Sequence, residues 1–350
     1  MPGISPEALA GYILEEMLAY LLRNAGYRLI TDASQDPREL ANRHHGLVVR
    51  GRGADHQADV LGELLWIPAF TFPLRLVLEA KCRKGKTDIA TVRGMVAALL
   101  DINQNNMPNR ADTSTPRIPR AKYTYVGAIF SASGFSTPAA DFALAHAVSL
   151  VDLRTDEFKS LVTTAQSSGV ELSRWYRRQD RRSAEGFVRA VRDAIRASLE
   201  RRTRETAERT EDSAIPENLV RPAVDSAAAT RELFIGMASG PYMLVLKADD
   251  PRRFLQFAER RQTHEVILRR VSASNEGETW EVVPKSEGGA YRLAFRLPEP
   301  LARWIFEAEN VRRAAGVARE GDRSSLTIYR KDAREDQLIR LTYDPRELGA

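Results

Sequence analysis

An apolar run that ends abruptly in charged residues, Leu74–Lys81, constrains the fold of this chain more than any other stretch. Residues 74–78 are apolar except for Arg75, which is typical of a strand that is buried on both faces of a sheet. The charged residues Glu79 and Lys81 follow at its end. Because side chains two positions apart on a strand share one face, Glu79 and Lys81 are predicted to point the same way.

A second short strand is predicted at residues 57–62, and it carries the acid Asp59. If the two strands are neighbours, Asp59, Glu79 and Lys81 converge at one sheet edge. Two carboxylates and an ammonium group suit a hard divalent cation and a water that attacks phosphate. Gln57 would share a face with Asp59 and could position water or phosphate, or it could be an ordinary surface amide. An acid-x-lysine triplet by itself is common at solvated strand ends, so the spacing of the whole set carries the argument.

Length and composition indicate two ordinary domains rather than one. The chain has 350 residues, 43% hydrophobic and 28% charged, which is the composition of a globular protein with a real core. Its one cysteine excludes a disulfide within the chain, and a cytoplasmic location is the resulting expectation. The first residues lack a signal-peptide pattern, and no apolar run approaches the roughly 18 residues of a membrane span, so no membrane association is expected.

The order of patterns along the chain predicts four parts. Strands alternate with helices over residues 1–155, which indicates a three-layer α/β sandwich. Residues 156–209 are predicted to form a basic helical segment. Helical periodicity fades over residues 210–230, where Pro216 and Pro222 occur, so this stretch is predicted to be a linker. Residues 231–350 contain seven alternating, strand-like segments and two helical ones, at 251–261 and 300–315, which predicts an α+β domain.

Basic residues are concentrated in one part of the chain. The net charge is +5, and residues 174–209 hold 12 arginines against 6 acids. Such a segment either contacts phosphates of a nucleic acid or forms a solvated helix face that is laced with charges.

The first predicted helix, residues 6–25, carries the acid pair Glu15 and Glu16. Its apolar residues recur at helical spacing, and Gly26 ends it. Glu15 borders the apolar face of this helix, so it is either an exposed acid or an acid that is turned toward the sheet.

The first 155 residues resemble the PD-(D/E)xK nuclease superfamily and, within it, the catalytic domain of Mrr-type restriction endonucleases. The resemblance covers roughly residues 8–155 and is carried by five pieces in order. They are Leu14-Glu15 with Gly26-Tyr27, residues 51–53 leading into 56–59, the triplet 79–81, residues 130–136, and Leu150-Val151-Asp152. The chain departs from the superfamily pattern at Ala58, where a proline often precedes the first acid, and it keeps Glu79 where many Mrr-type members have glutamine.

The resemblance implies a restriction-endonuclease-like sandwich that hydrolyses DNA phosphodiester bonds as an endonuclease in restriction or anti-phage defence. By the same resemblance, Asp59 and Glu79, with the carbonyl of Ala80, would hold Mg²⁺ (or Mn²⁺). Lys81 would orient or help activate the attacking water, and Glu15 would be an auxiliary acid of the site.

Basic residues that flank the acids in sequence are candidates for contact with the DNA backbone: Arg50, Arg52, Arg83, Lys84 and Lys86. The C-terminal domain would sense, target or recruit, either as a homo-oligomer contact or through a partner protein. The alternative is a nucleic-acid-binding or protein-interaction module whose nuclease fold is catalytically silent.

Overall fold

The fold is a mixed α/β arrangement in which helices cover an open sheet and a second group of strands closes on itself. The computed structural model describes residues 4–43, 46–66, 72–104, 123–179, 183–203, 215–229, 233–238, 243–274, 277–297, 324–331, 336–344 and 347.

Within these residues the structure contains seven α-helices, one short 3-10 helix at Ala33–Gln35 and fifteen strands. The helices are α1 (Pro6–Asn24), α2 (Ile89–Asn103), α3 (Thr137–Ala145), α4 (Asp156–Tyr176), α5 (Ala184–Thr203), α6 (Glu217–Ala229) and α7 (Pro251–Arg260). The strands of the first part are β1 (Tyr27–Ile30), β2 (Leu40–Arg43), β3 (Gly46–Arg50), β4 (Asp55–Gln57), β5 (Val60–Leu64), β6 (Leu74–Lys81), β7 (Thr124–Ser131) and β8 (Ser149–Asp152). The remaining strands are β9 (Leu233–Ala238), β10 (Met243–Ala248), β11 (Thr263–Ser274), β12 (Gly277–Pro284), β13 (Leu293–Leu297), β14 (Ser324–Lys331) and β15 (Asp336–Tyr343).

Five strands form the open sheet, in the order β1-β5-β6-β7-β8. β6 lies in its centre, parallel to β7 and antiparallel to β5, and β7 is parallel to β8. The apolar run that was predicted to be a buried strand is therefore central, as its composition requires. A neighbour on either side satisfies its backbone hydrogen bonds.

Helices cover both faces of this sheet. On one face, α1 places Leu14 and Leu18 in a core with Leu78 and Phe130. On the other face, α2 and α3 pack against the alternate residues of the same strands. Val77 of β6 and Ile129 of β7 share this core with Val92 and Met95 of α2 and with Ala139 and Ala143 of α3. The period-two alternation along β6 and β7 thus divides the apolar residues between two cores.

The predicted strand over residues 57–62 is wrong in one respect, because it is divided in two. β4, which ends at Gln57, belongs to a three-stranded sheet with β2 and β3, whereas β5 begins at Val60 in the open sheet. Asp59 lies in the bend between them. Gln57 and Asp59 are consequently not on one strand face.

The predicted linker is also wrong over residues 217–229, which form α6. This helix buries apolar residues in the core that contains α1, α4 and α5: Val220, Ala223, Val224 and Ala227. Pro222 lies inside α6. Burial of one helical face outweighs the local penalty of the prolines, which sequence propensity alone does not weigh.

Close contact between α1 and α4 depends on Gly169. A Cβ atom added to Gly169 would lie 2.6 Å from the backbone oxygen of Pro6 and 2.9 Å from the backbone nitrogen of Ala10. We expect Gly169→Ala to lower the free energy of unfolding by about 1–3 kcal/mol, because backbone atoms cannot give way cheaply. Gly94→Ala on α2 is the matched control, since nothing lies within 4 Å of the added atom. That change should raise the free energy of unfolding, measured in urea, by about 0.5–1 kcal/mol. Equal effects of the two changes would contradict the α1–α4 packing.

The C-terminal strands close into a barrel-like sheet in the order β10-β13-β12-β11-β15-β14-β9, with β9 paired to β10. All seven strands that were predicted from alternation are present, as is the helix at 251–261, which is α7. The pairing is antiparallel except between β11 and β15. Trp280, Phe254 and Tyr291 fill its core. The predicted helix at 300–315 lies outside the described residues.

His264 lies in this barrel as a buried, neutral side chain. Its Nδ1 lies 2.9 Å from the carbonyl oxygen of Arg261, to which it donates, and its Nε2 accepts the hydroxyl of Tyr291 at 2.5 Å. Burial lowers the pKa of His264 below its ordinary value of 6.5, and the Arg261 guanidinium acts in the same direction, while the Arg261 carbonyl opposes them. The ring of Phe257 packs on the imidazole edge to face.

Stability of the barrel should therefore fall in acid. Below about pH 6.5 the unfolded chain binds a proton at His264 that the folded state does not, so the free energy of unfolding decreases as the pH falls. The contribution is fully present above that pH. Urea unfolding between about pH 8 and about pH 5 should show a smaller pH dependence for His264→Gln than for the wild type. An identical dependence for both would contradict the buried neutral imidazole.

The barrel packs directly on the open-sheet part. Gly26, at a φ of +86°, lies so close to the ring of Tyr329 on β14 that an added Cβ would overlap it. The Tyr27 hydroxyl lies 3.8 Å from the sulfur of Met237, and the backbone N–H of Met243 donates to the Ser149 hydroxyl at 3.0 Å. Among the described helices, none is both long and apolar enough to cross a lipid bilayer.

Candidate metal and nucleic-acid site

Asp59 and Glu79 occupy facing positions at the end of the β5–β6 pair. Val60 pairs with Leu78, so the next residues outward are Asp59 on one chain segment and Glu79 on the other. Asp59 Oδ2 accepts a hydrogen bond from the backbone N–H of Ala80 at 3.0 Å. This bond fixes the Asp59 carboxylate against β6, beside the residue that separates Glu79 from Lys81.

Lys81 points to the same place. Its Nζ forms an ion pair with Glu79 Oε1, as expected for residues two apart on one strand. The side chains of Lys81 and Glu79 are 17% and 26% exposed, so both remain within reach of a ligand. The structure thus brings together Asp59, Glu79 and Lys81.

The electrostatics of Asp59 reflect these neighbours. Burial raises the pKa of Asp59, while the Ala80 N–H lowers it. The charge of Glu79 raises it further, and the charges of Lys81 and Arg192 lower it. A carboxylate whose charge is disfavoured in this way gains from a cation placed between it and Glu79.

Glu15 belongs to the same cluster, on α1. It is 8% exposed, so the alternative of a solvated acid is wrong. Burial raises the pKa of Glu15, Arg192 opposes that rise, and the charge of Asp59 adds to it. Glu16 is likewise buried, at 3% exposed, and accepts hydrogen bonds from Arg192 and Arg196 at 2.6 Å each.

Arg192 and Arg196 are site neighbours that sequence reasoning did not single out. Both lie on α5, and Arg192 Nη1 is 3.0 Å from Glu15 Oε2. The predicted basic segment is therefore not only a solvated face. The available signal was the spacing of Arg189, Arg192 and Arg196, which places them on one side of a helix. Which helix they would face could not be read from that spacing.

A cleft of about 1480 Å³ leads to Asp59. Its walls come from α1, α5, the strands around β1 and β5, and the barrel residues Phe234 and Tyr329. Gln57, which is exposed on β4, also lines it, together with Arg192. Gln57 thus faces the same cavity as Asp59 although the two residues do not share a strand.

The five predicted backbone-binding residues lie in two different segments of the chain. Arg83, Lys84 and Lys86 are exposed in the loop that follows Lys81 directly, beside the acids. Arg52 lies instead in a turn held at the end of α2, where its N–H bonds the Asp101 carbonyl at 3.1 Å.

Arg50 lies at the base of the same turn, and its Nε donates to the Leu40 carbonyl at 3.2 Å. Arg50 and Arg52 thus belong to the β3–β4 connection, whereas Arg83, Lys84 and Lys86 belong to the loop that follows β6.

The donor set fits a hard divalent cation. Among the described residues, no three His, Cys, Asp or Glu side chains converge closely enough to enclose a metal ion. Magnesium, however, is usually bound by one or two carboxylates, with water and substrate phosphates completing its shell. Asp59 and Glu79 supply that number of carboxylates, and the adjacent ammonium of Lys81 suits a bound water or phosphate.

Comparisons with known proteins add little to this geometry. No protein-family model matches the chain, and no curated protein matches it. A crystal structure described as a protein of unknown function, AF1548, is similar over 63% of this chain and 97% of that chain, at 16% identity and a TM-score of 0.32.

Proposed function

We propose that this protein is a metal-dependent nuclease that hydrolyses DNA phosphodiester bonds. The observation that carries the proposal is the convergence of Asp59, Glu79 and Lys81 at one end of the β5–β6 pair. Two carboxylates that follow the same end of a strand pair, with a lysine two positions from one of them, suit phosphodiester hydrolysis by a metal and a water.

Each residue of the site has a separate role in this proposal. Asp59 and Glu79 would hold Mg²⁺ or Mn²⁺, with the Asp59 carboxylate fixed by the Ala80 N–H. When bound, the ion supplies positive charge to the scissile phosphate and lowers the pKa of a bound water. Lys81, held by Glu79, orients the attacking water and donates hydrogen bonds to it or to a phosphate oxygen. Arg83, Lys84 and Lys86 then contact the DNA backbone next to the cleaved bond.

The order and layering of the first part support a restriction-endonuclease-like sandwich. An acid-bearing helix covers one face of a mixed sheet, the two acid strands are neighbours, and two later helices cover the other face. We infer an endonuclease that acts in restriction or anti-phage defence. In this proposal the barrel recruits a partner or a second copy of the chain.

Nicking of supercoiled plasmid DNA tests this proposal. We expect the wild-type protein to nick plasmid with Mg²⁺ or Mn²⁺ and to lose this activity in EDTA. Asp59→Asn should abolish nicking, because an amide keeps the shape of the side chain but not its charge. Asp225→Asn on α6 is the matched control and should nick like the wild type.

Two outcomes would contradict the proposal. Equal nicking by the wild type and Asp59→Asn would indicate a contaminating nuclease. Binding of DNA without nicking in either metal would favour the alternative of a catalytically silent nuclease fold.

A further inference from the structure

Arg192 differs from Arg189 and Arg196, the other two described arginines of α5 that line the cleft, because it combines three properties. It forms short contacts to two buried carboxylates, it lines the cleft, and its charge acts on Asp59. The carboxylates are those of Glu15 and Glu16, which belong to α1, the helix that covers the open sheet.

The two carboxylates bind part of the guanidinium and fix its orientation. Glu16 Oε1 accepts from Nε at 2.6 Å, and Glu15 Oε2 lies 3.0 Å from Nη1. A guanidinium has five N–H donors, so these contacts leave donors for a further acceptor. Because two buried groups fix its orientation, little conformational entropy is lost when Arg192 binds a ligand.

The other two described arginines of α5 that line the cleft are less suited. Arg196 directs both Nε and Nη2 to Glu16. Arg189 is 75% exposed and has only a 4.0 Å contact to Glu185. A held, half-buried guanidinium close to a metal-binding carboxylate is the arrangement that suits a tetrahedral anion.

We propose that Arg192 binds a backbone phosphate of DNA in the cleft beside Asp59, which makes the helical segment part of the nuclease site. The inference rests on the proposed function, since it concerns the substrate of that site. It adds that the DNA strand runs along the cleft that α1 and α5 line, rather than only across the loop that follows Lys81.

Salt dependence of binding measures a phosphate contact directly. Affinity for a short fluorescein-labelled DNA duplex is measured by polarisation in EDTA over a range of salt concentrations, so that no cleavage is needed. Loss of one phosphate contact lowers the slope of log affinity against log salt by about 0.9. We expect that change for Arg192→Met, with an affinity loss of about tenfold to a hundredfold at moderate salt.

Two further variants separate the contact from general effects. Arg174→Met is the matched control, because Arg174 is an exposed arginine of the same basic region that pairs with Glu171 on α4. It should keep the wild-type slope. Arg192→Lys keeps the charge and should therefore keep the slope. It loses the planar guanidinium with its paired N–H donors, so its affinity for DNA should be lower.

Removal of Arg192 also leaves Glu15 and Glu16 with fewer partners, so the fold must be monitored by far-UV circular dichroism. If Arg192→Met fails to fold, the double variant Glu15→Gln/Arg192→Gln removes both charges together, and its control is Glu15→Gln alone.

A wild-type slope in a folded variant without Arg192 overturns the inference, as does the absence of DNA binding by the wild type. A lowered slope supports it even if the wild type does not cleave, in which case only the proposed hydrolysis fails.

Discussion

Lys81→Met is expected to reduce Mg²⁺-dependent DNA cleavage by about two to four orders of magnitude, the range that a single positioned proton-transfer group usually contributes. Lys81 is the last residue of β6 and is 17% exposed. Its ammonium contacts Glu79 rather than a group of the core, so its removal should not disturb the packing of the sheet. Methionine has a similar length without the charge, so the strand and the two carboxylates should remain in place.

The matched control for this prediction is Lys247→Met, which removes an exposed lysine from β10 of the barrel. That variant should cleave plasmid at the wild-type rate. DNA binding in EDTA should be retained in both proteins, and the slope of log affinity against log salt should fall by about 0.9 at most in Lys81→Met, because one lysine contributes one phosphate contact at most. A Lys81→Met protein that retains its circular dichroism spectrum and cleaves like the wild type would remove Lys81 from the mechanism.

Arg75→Met is expected to lower the free energy of unfolding by about 3–5 kcal/mol, the usual cost of removing one partner from a buried ion pair. Arg75 is 1% exposed in the centre of the open sheet. Its Nη2 lies 2.7 Å from Asp36 and 2.9 Å from Glu63, and its Nη1 donates to the Tyr125 hydroxyl at 3.0 Å. Without the guanidinium, two carboxylates face each other with little access to water.

Arg28→Met is the matched control, since Arg28 contacts the same Glu63 from the surface at 2.6 Å and its side chain is 57% exposed. Exposed pairs contribute little, so this change should cost less than about 1 kcal/mol. Both proteins can be compared by urea unfolding followed by circular dichroism. An equal decrease in the free energy of unfolding for the two variants would contradict the expectation that burial makes the Arg75 ion pairs costly to break.

Local patterns were sufficient wherever a segment's own residues decide its structure. The apolar run 74–78 was predicted to be a buried strand, and it is the central one. The seven strands of the barrel were predicted from alternation, because a half-buried strand must alternate. Neither pattern predicts that the seven strands close into a barrel, because closure depends on the pairing of β9 with both β10 and β14.

Errors arose where distant contacts override local preference. Residues 217–229 contain a proline and were interpreted as a linker, yet burial against other helices holds them as α6. Residues 57–62 were interpreted as one strand, yet their two halves pair with different partners. Similarly, Arg75 was recognised as the only polar residue of its strand, but its acidic partners were not predicted.

The sequence by itself determined that Glu79 and Lys81 share one face of a strand, because side chains two positions apart do so. The prediction that Asp59 lies beside them depended on the pairing of β5 with β6, which the tertiary structure decides. Only the tertiary structure decided that Arg192 joins them. It lies 176 positions from its partner Glu16, and a periodic row of arginines states which side of a helix is basic but not what that side packs against. Contacts over such separations depend on how whole elements bury their apolar faces, and that information is spread over the entire chain.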